Sequence, residues 1–124
     1  MNKKILVVDD DPTQTATVKL VLEKDNLYDV MVANSGLECL NQLKNNNIPD
    51  VILLDIMMPE MNGWQVFERL KENESWTHIP IIFLTARTDD IAKNAGGFLG
   101  EDYIEKPYDV DDLKRRIDSI FNKK

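Results

Sequence analysis

This sequence is short of the residues that most often carry cross-linking or catalysis. It has one cysteine, Cys39, which excludes an internal disulfide and fits a reducing compartment. Its one histidine, His78, leaves no material for a His-cluster metal site or a Ser-His-Asp triad. No apolar run reaches membrane-spanning length, and Met1-Asn-Lys-Lys-Ile5 lacks the apolar core of a signal peptide. Positive charge is outweighed, with 15 Lys and Arg against 22 Asp and Glu and a formal net charge of −7. That balance argues against nucleic acid as a direct partner. Linkers, repeats and low-complexity segments are missing too. These absences point to a cytoplasmic protein with no membrane partner. What is present, 124 residues at 43% hydrophobic and 30% charged, suits one compact domain spanning residues 1–124.

Short apolar runs alternate with helical patterns. Ile5-Leu-Val-Val8, Val51-Ile-Leu-Leu54 and Ile81-Ile-Phe-Leu84 read as strands buried on both faces. Tyr28 to Ala33 reads as an edge strand and Tyr103-Ile-Glu105 as a brief fifth one. Pro12 suits the first turn of a helix capped by Asp11, with Val18, Val21 and Leu22 inward. A second helix opens at Asn34-Ser-Gly36 and faces Gly36, Cys39, Leu40 and Leu43 inward. A third, capped by Asn62, turns in Val66, Phe67 and Leu70. The fourth, after Thr88, should be short or irregular because Gly96-Gly97 interrupts it. Asp109 can cap the last, with Val110, Leu113, Ile117 and Ile120 inward and Lys114 and Arg115 outward. Five strands alternating with five helices imply an α/β fold, a doubly wound parallel sheet with helices on both faces. The flavodoxin-like order 2-1-3-4-5 suits the short second strand at one edge.

The chain is organised around Val51-Ile-Leu-Leu-Asp55, a buried strand that ends in a carboxylate. In a parallel sheet the strand ends Asp9, Asp10, Asp55, Thr85 and Lys106 all fall at the carboxyl edge, where open α/β sheets bind ligands. Strands one and three are neighbours in this order, so three carboxylates share a small space. Without compensation at least one should take up a proton. A hard cation such as Mg²⁺ resolves the conflict. A metal and a lysine around a carboxylate make sense if that carboxylate, Asp55, attacks phosphorus. Mg²⁺, the Lys106 ammonium, and the Thr85 hydroxyl with nearby backbone N–H groups would neutralise the three equatorial oxygens. Taken singly, each of these residues has a plain structural explanation as a cap, a strand end or a turn. Together, at four strand ends, they specify a chemistry.

Val7-Val-Asp-Asp10, Asp55-x-x-Met-Pro-x-Met-Asn-Gly63, Leu84-Thr-Ala86 and Tyr103-Ile-x-Lys-Pro107 resemble the receiver domain of two-component response regulators, chiefly the single-domain chemotaxis type. The resemblance covers the whole chain. It implies that a sensor histidine kinase or phosphotransfer protein donates a phosphoryl group to Asp55, changing a surface read by an output protein or effector domain. It also implies that Asp10 binds Mg²⁺ directly and Asp9 mainly through water, with the carbonyl of Met57 as a further ligand. Thr85 and Tyr103 would form the switch pair, and Lys106-Pro107 a cis peptide. The resemblance leaves room for a phosphorylation-dependent dimer.

Gly100-Glu-Asp-Tyr103 is one residue tighter than the usual Gly-Ala-Asp-Asp-Tyr, and Gly96-Gly97 stands where relatives carry helix formers. Both departures touch the output surface and leave the transfer chemistry intact. Met57 and Arg87 would flank the pocket mouth and slow self-hydrolysis by covering the attack path. A haloacid dehalogenase-type phosphatase would need an acid where Met57 stands. A flavodoxin would need a phosphate cradle where Asp9-Asp-Asp11 lies. A pseudo-receiver would need a missing site residue, and none of the five is missing. Only Phe121-Asn-Lys-Lys124 follow the last helix, so no effector domain is expected within these residues. A single-domain regulator and the receiver of a larger one read alike.

Overall fold

The computed structural model describes residues 2–85 and 102–122. Five strands, β1 (Lys3–Val8), β2 (Tyr28–Ala33), β3 (Val51–Asp55), β4 (Ile81–Thr85) and β5 (Asp102–Glu105), form one parallel sheet in the order β2-β1-β3-β4-β5. Among the described residues four helices connect and cover them: α1 (Pro12–Glu23), α2 (Gly36–Lys44), α3 (Gly63–Lys71) and α4 (Val110–Phe121). The helix expected after Thr88, with Gly96-Gly97, Gly100 and Arg87, lies outside the described residues.

Strand period divides the core in two. Leu6, Val8, Ile52, Leu54, Ile81 and Phe83 point to one face, where α2 and α3 supply Cys39, Leu40, Leu43, Val66, Phe67 and Leu70. Ile5, Val7, Val51, Leu53, Ile82 and Leu84 point to the other, under Val18 and Leu22 of α1 and Leu113 and Ile117 of α4. The sheet is therefore wound on both sides, and the runs Ile5–Val8, Val51–Leu54 and Ile81–Leu84 at the centre of β1, β3 and β4 must be apolar. Val21, Val110 and Ile120, expected inward, lie at the margins of their helix stripes and are only half-buried.

The helix starts are chemically specified. Asp11, Ser35, Asn62 and Asp109 each accept a backbone N–H from the first turn of α1, α2, α3 and α4 respectively. At α3 the bond is reciprocal, since Gln65 reaches back to the Asn62 N–H. These caps fix where each helix leaves the carboxyl edge of the sheet, and so where the loops around Asp9 and Asp55 lie.

Candidate functional site

Asp9 follows the end of β1 and Asp55 ends β3, and the two strands pair directly, Val8 opposite Leu54. Both carboxylates are buried, at 1% and 4% exposure, while Asp10 is exposed at the rim. Oxygen atoms of Asp9, Asp10 and Asp55 all lie within 4.8 Å of one another. Lys106, just beyond β5, reaches across the sheet edge and places its Nζ 2.7 Å from Asp9 Oδ2 and 3.6 Å from Asp55 Oδ2. The Lys106–Pro107 peptide is cis.

Backbone donors hold both buried acids. The Asp11 N–H donates to Asp9 Oδ1 at 3.0 Å, and the Met57 N–H donates to Asp55 Oδ1 at 3.3 Å. The β3–α3 loop then turns back through Glu60, whose φ of 67° is left-handed. It closes with the Gly63 N–H donating to the Ile56 carbonyl at 2.9 Å. A Cβ on Gly63 would stand 2.6 Å from the Asp55 carbonyl oxygen and 2.8 Å from the Ile56 Cα. Only glycine lets α3 start this close to the acid.

The electrostatics follow from this crowding. Burial pushes the Asp55 carboxyl up to about 6; Lys106 opposes the rise, and the negative charges of Asp9 and Asp10 add to it. For Lys106 burial pulls the other way, but its hydrogen bond to Asp9 and the charges of Asp55 and Asp9 leave its pKa raised and the ammonium charged. One ammonium against three carboxylates leaves two negative charges uncompensated. The donors are all oxygen and close enough to share one ion, which suits a hard divalent cation.

The chain matches the response regulator receiver domain family over residues 5–118. It belongs to that family. The receiver is 38% identical to the Helicobacter pylori transcriptional regulatory protein CrdR, over 98% of this chain and 56% of that protein. It superposes on the receiver domain of the Francisella response regulator 1452 with a TM-score of 0.86 at 32% identity, covering 98% of each chain. Chemotaxis protein CheY4 of Vibrio cholerae gives a TM-score of 0.85 at 27% identity, covering 97% of this chain and 99% of that one. The chain spans about half the length of the curated relatives it matches first. Receivers of this family are signalling switches that take phosphoryl groups from histidine kinases and act on output effectors.

The acids and the lysine picked out by sequence thus lie together. Thr85 ends β4 in register with Glu105, while Tyr103 sits opposite Phe83 with its side chain partly exposed. Met57, two residues beyond Asp55, is 50% exposed. Two further polar residues were not legible as part of the site: Asn34, read as opening a helix, and Thr15. The Asn34 amide donates to the Asp9 carbonyl at 2.8 Å and to Thr15 Oγ1 at 3.1 Å. Thr15 shares the inward stripe of α1 with Val18 and Leu22, and a hydroxyl on an apolar stripe is the signal that a polar partner must exist. Among the described residues no helix is long and apolar enough to cross a membrane.

Proposed function

We propose that Asp55 is the phosphoacceptor of this receiver, charged by a histidine kinase or phosphotransfer protein. The supporting observation is the buried Asp55 carboxylate flanked by two further acids and a lysine at one sheet edge. An oxygen of Asp55 attacks phosphorus in line, the P–N bond to the donor histidine breaks, and its electron pair leaves with the imidazole. Lys106 stands close enough to neutralise a phosphoryl oxygen, and the Met57 N–H orients the acid that attacks. Thr85 would take a further oxygen and, with Tyr103, pass the change to the output surface. Asp9, Asp10, Asp55 and the Met57 carbonyl would hold Mg²⁺, which supplies charge neutralisation for phosphoryl transfer when bound.

Met57 slows the return reaction in this reading. It is bulky and exposed two residues beyond Asp55, and its thioether is at best a weak acceptor for a water. Incubation with acetyl phosphate and Mg²⁺ should add one phosphoryl group by intact mass, and EDTA should prevent it. No gain under either condition would overturn the reading.

A further inference from the structure

Asp9 is tied at every polar atom. Its N–H donates to the Ala33 carbonyl at 3.1 Å and its carboxylate binds the Asp11 N–H and Lys106. Its carbonyl, which belongs to the peptide joining Asp9 to Asp10, accepts from the Asn34 amide. Asn34 is itself keyed. The Thr15 hydroxyl, at 2% residue exposure, spends its one proton on the Pro12 carbonyl at 3.1 Å. It can therefore only accept from Asn34, so the NH₂ group and not the oxygen of Asn34 faces Asp9. The Asn34 N–H is held in turn by Glu38 Oε1 at 3.0 Å. Asn34, just past the end of β2, thus donates to Glu38 of α2, to Thr15 in the first turn of α1 and to the peptide between two acids of the site.

Rotating that peptide would swing the Asp10 carboxylate, which sits on an exposed loop with Asp9 fixed behind it. We propose that Asn34, keyed by Thr15, is a positioning residue that sets the Asp9–Asp10 peptide plane and thereby fits the acidic site to a small, octahedral divalent cation. The inference rests on the reading of this cluster as a Mg²⁺ site. Mg²⁺ demands near-ideal octahedral geometry whereas Ca²⁺ tolerates irregular ligands, so loosening Asp10 should penalise Mg²⁺ selectively.

Calorimetric titration of the whole chain with MgCl₂ and, separately, CaCl₂ tests this. Asn34→Ala is expected to weaken Mg²⁺ binding about tenfold, the usual scale for a lost partner behind a ligand. The loss for Ca²⁺ is expected to stay within about twofold. Thr15→Val, which keeps the shape and loses the hydroxyl, should weaken Mg²⁺ binding about threefold, the scale of one hydrogen bond. Thr15→Ser should restore the parent value. An unchanged Mg²⁺ affinity in Asn34→Ala overturns the proposal, as does an equal loss for both cations, which general loosening would give. If Asn34→Ala does not fold, an unchanged Mg²⁺ affinity in Thr15→Val overturns it. A parent chain that binds no Mg²⁺ removes the metal reading and this inference together, whereas a parent that binds and a variant that binds equally well removes this inference alone.

Discussion

Lys106 gives its closer contact to Asp9, at 2.7 Å, and stands 3.6 Å from Asp55. Lys106 and Asp9 are 97 positions apart in sequence; the parallel sheet puts both at its carboxyl edge, and the lysine side chain spans the remaining distance. The lysine thus serves as the resident cation of the acidic pocket, competing with any metal for Asp9. Replacing it should separate two properties usually lost together. Lys106→Met is expected to tighten Mg²⁺ binding by at least about fivefold, because a positive charge a few ångströms away is removed. The same variant should lower the rate of phosphoryl transfer by about tenfold or more, because a preorganised positive charge on a phosphoryl oxygen is lost. Parallel titration and phosphorylation kinetics check both; weaker Mg²⁺ binding in the variant would contradict the competition.

Asp55 ionises against its surroundings, with its carboxyl pushed from an ordinary 3.8 to about 6, chiefly by burial. A raised carboxyl pKa means the folded state holds the proton more tightly than the unfolded chain. The associated stability is complete below the unfolded value and is lost as pH rises through about 6. Its size is about 3 kcal/mol. In EDTA, Asp55→Asn should therefore melt well above the parent at pH 7.5, and the gap should close towards pH 4. Thermal melts across that range check it, and a gap independent of pH would refute the electrostatic cause.

Gly63 is required by contact with backbone that cannot step aside. Gly63→Ala should destabilise the protein by about 1–3 kcal/mol, the range for forcing a group into filled space. It should also disturb the acid, because the atoms in the way belong to Asp55 and Ile56. Denaturant unfolding together with Mg²⁺ titration checks this, and a variant equal to the parent in both would contradict it.

Met57 offers a test of how long the signal lasts. Met57→Asn places a group that can orient water at the pocket mouth, and it should speed loss of the phosphoryl group by about tenfold, a modest share of what a positioned polar group contributes. Decay of the phosphorylated mass after donor removal measures it; a rate no faster than the parent would show that this position is not the gate.

Much of this was legible because period and punctuation agree. The runs Ile5–Val8, Val51–Leu54 and Ile81–Leu84 leave no polar face, so they had to be central strands covered on both sides. Asp11, Ser35, Asn62 and Asp109 announced helix starts by side-chain chemistry that depends only on near neighbours. Strand order put the acids side by side, and the parallel sense of the sheet put Lys106 at the same edge. What could not be read was pairing set by distances inside the pocket. Nothing in sequence says that Lys106 prefers Asp9 to Asp55, or that Asn34 turns its amide towards Asp9 while its neighbour Ser35 caps α2. Val110 and Ile120 show the same limit, since helical spacing gives a stripe but not its width.

Asp55, and no other acid of the pocket, is expected to carry the phosphoryl group. Borohydride reduction of the phosphorylated protein converts an aspartyl phosphate to homoserine, which tandem mass spectrometry locates. The account predicts homoserine at position 55 alone, and none anywhere in Asp55→Asn. Homoserine at position 9 or 10, or undiminished phosphorylation of Asp55→Asn, would contradict it.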